Sequence, residues 1–101
     1  MPGVGKLLKQ AQRVQQRIAD TQARLAQTAI EVSHGGGAVR ITVNGNNEVT
    51  ALSLDPEFLR EDKTLVEQTL FAALKEAGDK ARALHTDSMN AATEGFSLPS
   101  F

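Results

Sequence analysis

Two turn signals within eleven residues of each other limit what this chain can build. Three consecutive glycines occupy positions 35–37 and an Asn-Gly pair occupies 44–45, and between them Val39, Ile41 and Val43 alternate with Arg40, Thr42 and Asn44. Period-two alternation is the pattern of a strand with one face buried, and Asn44-Gly45 opens a hairpin. A second strand follows and stops at Asp55-Pro56, because proline cannot extend the ladder. Within it Val49, Leu52 and Leu54 break strict alternation, which predicts a bulge near Thr50-Ala51. Upstream, Ile30-Glu31-Val32-Ser33 has two readings: a further strand folded back by the glycine triplet, or the end of a preceding helix.

The glycines do not read as a phosphate loop. Such a loop needs a strand before it, a helix after it and a Lys-Ser/Thr pair at its end, so that backbone N–H groups and a helix terminus surround the anion. Here a helix-like segment precedes and a strand follows, so the glycines are architectural. Gly3-Val4-Gly5-Lys6 fails the same test, with no strand before it and no hydroxyl residue after the lysine.

Both flanks of this segment carry helical periodicity. On the N-terminal side, Leu7, Ala11, Val14, Ile18, Leu25 and Ala29 gather on one face at about 100° per residue. Read as a heptad, the seam runs 7, 11, 14, 18, 21, 25, 28, 32, weakened by threonine at 21 and 28. Lys6, Lys9, Arg13, Arg17 and Arg24 form a separate stripe within roughly 60° of Lys6, accompanied by the single acid Asp20. On the C-terminal side a helix is expected from Asp62 or Thr64 to about residue 88, with Thr64 and Glu67 placed as a capping box. Its apolar face is Leu65, Leu70, Ala73, Leu74, Ala77, Ala81 and Leu84.

A formal charge of −1 over 101 residues conceals an asymmetry. Residues 1–30 hold five cations against one acid, and the remaining residues hold six cations against eleven acids. One helix therefore offers a face to an anion while the rest of the surface stays acidic. A basic stripe on an exposed helix is ordinarily a solvated face, and the one-sidedness is what argues for a partner here. Lys75, Lys80 and Arg82 are interleaved with Glu76 and Asp79 and read as ordinary helix-surface pairs.

Other chemistry is thin. The chain has no cysteine, and His34 and His85 stand singly, so neither a disulfide framework nor a metal site is expected. No nucleophile stands out, Glu61-Asp62 reads as helix-start charge, and no enzyme or cofactor is expected. Four phenylalanines with no tryptophan or tyrosine leave little platform for stacking bases, which favours duplex over single-stranded nucleic acid. With neither a signal peptide nor a long apolar span, a cytoplasmic address is expected.

The runs KQAQRVQQR at 9–17, GGGAVRITVNG at 35–45, VTALSLDPEFL at 49–59 and LFAALKEA at 70–77 occur in this order and spacing. Together they resemble the YbaB/EbfC family of bacterial nucleoid-associated DNA-binding proteins, over nearly the whole chain. The resemblance implies an α+β fold, a homodimer whose helices project as arms, and double-stranded DNA bound with little sequence preference at the nucleoid. Carried onto matching positions, it implicates Lys9, Gln10, Gln12 and Arg17, with Lys6, Arg13 and Arg24 beside them on the stripe.

The expected architecture is thus α+β: a long N-terminal helix, a small antiparallel sheet of two or three strands, and a long C-terminal helix. Residues 1–90 form a single domain, and 91–101 read as a mobile tail whose Phe96 or Phe101 docks on a hydrophobic surface. A chain this short buries a limited core, so a dimer is expected, closed by Val39, Ile41, Val43, Leu52 and Leu54. The competing functional reading is an interaction scaffold whose paired helices grip an acidic protein partner.

Overall fold

Alternation over residues 39–43 is realised as the central strand of a three-stranded antiparallel meander. In the computed structural model, which describes residues 3–95, the elements are α1 (Val4–Ala26), β1 (Ala29–His34), β2 (Val39–Asn44), β3 (Val49–Leu54), a 3-10 turn (Phe58–Arg60) and α2 (Lys63–Ala92). The sheet order is β1-β2-β3. The open reading of Ile30–Ser33 resolves as strand, its register pairing Val32 with Ile41 and Ile30 with Val43. Gly35, Gly36 and Gly37 all take positive φ, which turns the chain between β1 and β2 at no steric cost. The register of β2 with β3 shifts between Thr42 and Val43, opposite Ala51 and Val49, which leaves Thr50 as the bulged residue. The expected Phe96 or Phe101 docking lies outside the described residues.

Among the described residues, the sheet is covered on one face only. Val32, Val39, Ile41 and Val43 are buried against Ala73, Ala77 and Ala81 of α2, which packs mainly across β1 and β2, with Leu54 of β3 half-buried at the edge of the same cluster. Alanines at four-residue spacing let the helix axis come close to the branched strand side chains. This corrects the expected dimer surface, because Val39, Ile41 and Val43 are already enclosed within the protomer. The other sheet face carries Glu31, Ser33, Arg40, Thr42, Ala51 and Ser53, and only Thr42 among these is partly buried. Opposite flanks of α2 are tied to opposite sides of the sheet. On one, Glu76 Oε2 lies 2.9 Å from His34 Nε2 of β1, and Lys80 Nζ lies 3.3 Å from Glu76 Oε1. On the other, Gly78 faces Asn47 of the β2–β3 turn.

Helix boundaries differ from the sequence expectation for local reasons. Of the two starts expected for α2, Asp62 is the cap, its carboxylate accepting from the Thr64 N–H at 3.2 Å. The helix runs to Ala92 instead of ending near 88. The α1 seam stops at Leu25, since Ala29 and Val32 lie in β1, and along α1 only Val14, Thr21 and Leu25 are buried. Leu65 and Leu74, expected on the core face of α2, are exposed.

What ends α1 is the β2–β3 turn. The Gly45 N–H donates to the Leu25 carbonyl at 2.8 Å, Asn46 Nδ2 to Gln22 at 3.2 Å, and Asn44 Nδ2 to Ala26 at 3.4 Å. Carbonyls of the last turns of the helix thus accept from a turn distant in sequence, the Leu25 carbonyl also accepting from the Thr28 N–H at 3.1 Å. Asn44 is itself buried, and its Oδ1 accepts from the N–H groups of Asn46 and Glu48, both at 3.0 Å. Positive φ in this turn falls on Asn47, at 64°, and not on Gly45. Gly45 is required for closeness: a Cβ there would stand 2.5 Å from Leu25 Cδ2 and 3.0 Å from the Leu25 carbonyl oxygen.

Two predictions follow from these contacts. Gly45→Ala should destabilise the protein by about 2 kcal/mol through overpacking against Leu25, whereas Asn46→Ala should cost about 1 kcal/mol for one lost hydrogen bond. Urea unfolding of both variants followed by far-UV circular dichroism checks the order. The second concerns acid. The His34 side chain, then Lys80, hold the Glu76 carboxyl below its ordinary value of 4.5. A carboxyl depressed on folding contributes stability that is fully present above 4.5 and is lost as pH falls through its lower folded value. Glu76→Gln should remove that part of the acid dependence, so between pH 7 and pH 3 the urea midpoint should fall less in the variant than in the parent.

Candidate nucleic-acid interface

The radius of gyration is 19.9 Å and the molecule extends 71 × 28 × 15 Å, against about 13 Å for a compact domain of this length. That excess lies in an arm. The C-terminal half of α1 runs antiparallel to that of α2, with Val14, Thr21 and Leu25 buried on one helix and Ala92 on the other. Because α2 ends beside the middle of α1, the N-terminal portion of α1 extends beyond it. At about 1.5 Å per residue, α1 is roughly 34 Å long.

The basic stripe runs along this arm. Lys6, Lys9, Gln10, Arg13 and Arg17 line one continuous shallow groove. Arg17 and Arg24, with Asp20 and Thr21, line a second groove whose opposite wall is Ser88, Ala91 and Ala92 of α2. Arg17 belongs to both and joins them. It is anchored there by Nη1 donating to the Glu94 carbonyl at 3.3 Å. Gln12 is not brought into either groove; it lies roughly 120° around the helix from Lys6. Six of the seven residues selected from the sequence are therefore contiguous, and Gln12 stands apart.

Electrostatically the stripe is unspent. Among the described residues, none of Lys6, Lys9, Arg13, Arg17 and Arg24 enters a salt bridge. Asp20, the one acid on the arm face, accepts a hydrogen bond from Gln16 Nε2 at 2.9 Å. On α2 three of the four cations behave differently: Lys63 pairs with Glu67 at 3.8 Å, Lys80 with Glu76, and Arg82 with Asp79, whereas Lys75, expected to pair, enters no salt bridge among the described residues. The small residues of α2 that form the second wall were not selected from sequence. Ser88, Ala91 and Ala92 carry no chemical signal, and only the antiparallel pairing of the helices brings them opposite Arg17 and Arg24. A further polar groove, also not anticipated, lies between Asn46 and Asn47 of the turn and Arg82, His85 and Thr86 of α2.

A small helix-and-sheet body thus carries a projecting basic arm. The chain matches the YbaB/EbfC DNA-binding family over residues 1–96, and it belongs to that family. Among its relatives, a protein of Anaeromyxobacter dehalogenans (strain 2CP-C) named nucleoid-associated protein is 38% identical over 94 residues, covering 92% of this chain and 91% of the relative. A Neisseria meningitidis serogroup A protein, also named as nucleoid-associated, is 41% identical over 96 residues, covering 92% and 86%. The crystal structure of an uncharacterized Helicobacter pylori protein superposes with a TM-score of 0.78 over 86% of this chain and 92% of that one, at 21% identity, and shares the fold.

Proposed function

We propose that the protein is a nucleoid-associated protein that binds duplex DNA as a homodimer with little sequence preference, altering the conformation of the DNA and thereby affecting gene expression. The observation that carries this reading is the row of five cations on one face of a projecting helix, free of acidic partners among the described residues. Lysine and arginine at this spacing meet phosphate oxygens, and phosphate contacts position a protein without reading sequence. Gln10 in the same groove can donate to phosphate or sugar oxygens. The role is binding rather than catalysis, and its place is the nucleoid within the cytoplasm.

The dimer reading rests on an uncovered apolar strip. Leu52 pairs with Ile41 and so faces the helix side of the sheet, yet α2 lies mainly over β1 and β2 and Leu52 is 56% exposed. Phe71 and Leu74 stand on the α2 flank that leads to Gly78 and the β2–β3 turn, and Phe71 is 68% exposed. A second copy laid over this strip buries it and sets two arms on one particle. Light scattering at micromolar concentration should give about twice the 10.8 kDa chain mass. Phe71→Asp should leave folded monomers, in contrast to Ile41→Asp, which places a charge inside the protomer and unfolds it.

Each neutralised phosphate contributes roughly −0.9 to the slope of log K against log salt. With a few contacts from each arm, a slope between about −4 and −7 is expected in mobility shifts on random duplex. Arg13→Ala with Arg17→Ala should weaken binding to every duplex alike and flatten the slope, with dimer mass and helicity unchanged. If this variant keeps the parent's affinity and slope, the stripe is a solvated face. Failure of the parent to bind duplex at low salt overturns the DNA reading and leaves the interaction scaffold.

A further inference from the structure

Beyond its pairing with α2, the tip of α1 carries an exposed apolar ridge. Ala92 lines the same groove as Arg17 and Thr21, so the described end of α2 lies beside the middle of α1. Towards the tip, Val4, Leu7 and Leu8 are 48%, 60% and 59% exposed. At about 100° per residue Val4 falls between Leu7 and Leu8, and the three make one ridge on the side of the helix opposite Lys6, Lys9 and Arg13. A duplex held by those cations leaves the ridge unused. From residue 4 to residue 19 the helix holds four cations, Lys6, Lys9, Arg13 and Arg17, and no acid.

Size and charge together select an occupant. A stable protein interface takes about 20–30 residues on each side, and a ridge of three side chains falls far short, so it does not hold the arm of a second copy. An anionic lipid surface asks for less. It needs no matching shape: apolar side chains sink among the acyl chains while cations gather at the negative headgroups. Lys6 borders the ridge on the Leu7 side and Lys9 on the Leu8 side, each about 100° around the helix from its neighbour. The long aliphatic stem of lysine lets the ammonium group reach headgroups from such a position. Among the described residues no helix is long and apolar enough to cross a membrane, so the contact is with the surface of the bilayer.

We propose that the first turns of α1 bind an anionic lipid surface, lying in the plane of the interface with Val4, Leu7 and Leu8 inserted and Lys6 and Lys9 at the headgroups. The ridge is separate from the basic groove, and the proposal stands independently of the DNA reading.

Flotation of the full-length protein with vesicles tests it. The protein should rise with phosphatidylcholine vesicles that contain about one third phosphatidylglycerol and stay behind with phosphatidylcholine alone. Leu7→Gln with Leu8→Gln keeps good helix formers at both positions; it should lower the floated fraction roughly tenfold and bind duplex as the parent does. Because the chain has no tryptophan, Leu8→Trp adds a single fluorescent reporter, whose emission should move to shorter wavelength on anionic vesicles and stay in place on neutral ones. The proposal is overturned by a parent that does not float, by a double variant that floats as the parent does, or by a tryptophan emission that anionic vesicles leave unmoved. Loss of particle mass by the double variant in light scattering without lipid also overturns it, and places a second copy on the ridge. Flotation of a parent that ignores duplex supports the lipid contact while removing the DNA reading.

Discussion

The architecture depends on the seating of the Asn44-Gly45-Asn46 turn against the C-terminus of α1. Apart from packing along α2, this is where the arm is fixed to the body, through three hydrogen bonds to the Gln22, Leu25 and Ala26 carbonyls. Close approach is possible because Gly45 has no Cβ, and Leu25 beside it is 1% exposed. Full burial of a leucine side chain contributes roughly 2–3 kcal/mol, so polar and apolar effects act at the same point. Asn44 serves both sides, organising the turn through Oδ1 and reaching the helix through Nδ2.

A division of labour follows from side-chain size. Alanine at 73, 77 and 81 brings α2 down onto β1 and β2 so that Val32, Val39, Ile41 and Val43 are sealed within one protomer. The same helix lies mainly over the first two strands, and Leu52, Phe71 and Leu74 are left on an open border. The polar outer face of the sheet, with Glu31, Ser33, Arg40 and Ser53 exposed, offers no comparable apolar surface.

Much of this was readable from sequence where a local rule governs. Period two and the Asn-Gly pair defined β2 and its hairpin, and the broken alternation in β3 marked the bulge now seen at Thr50. The basic stripe was equally local, because a helical wheel needs only the rise and turn of a helix. Misreadings occurred where tertiary contact overrides pattern. Heptad spacing carried the α1 seam on to Val32, but the turn stops the helix at Ala26. Leu74 outranks Ala77 in hydrophobicity, yet it is alanine that is buried, since close helix–sheet approach selects for small side chains. Gln12 was implicated with Lys9 and Arg17 by the family resemblance alone, and on the helix it points in a different direction. Ser88, Ala91 and Ala92 could not be assigned to a basic groove until the two helices were placed side by side.

The seating of α1 on the turn, with the end of α2 alongside it, makes the paired helices a lever. Lys6 lies nineteen residues from Leu25, or about 29 Å along the axis. Rotation of the helix by about 10° around that seat carries the Lys6 backbone through on the order of 5 Å. Successive phosphates on one DNA strand advance by about 3.4 Å along the duplex axis. A small angular change at Gly45 therefore shifts the arm tip by more than one phosphate, while Arg24, next to the pivot, hardly moves. In the proposed duplex contact, the register of the outer cations would be set at the opposite end of the helix, by the fit of one hydrogen atom where any other residue would place a carbon.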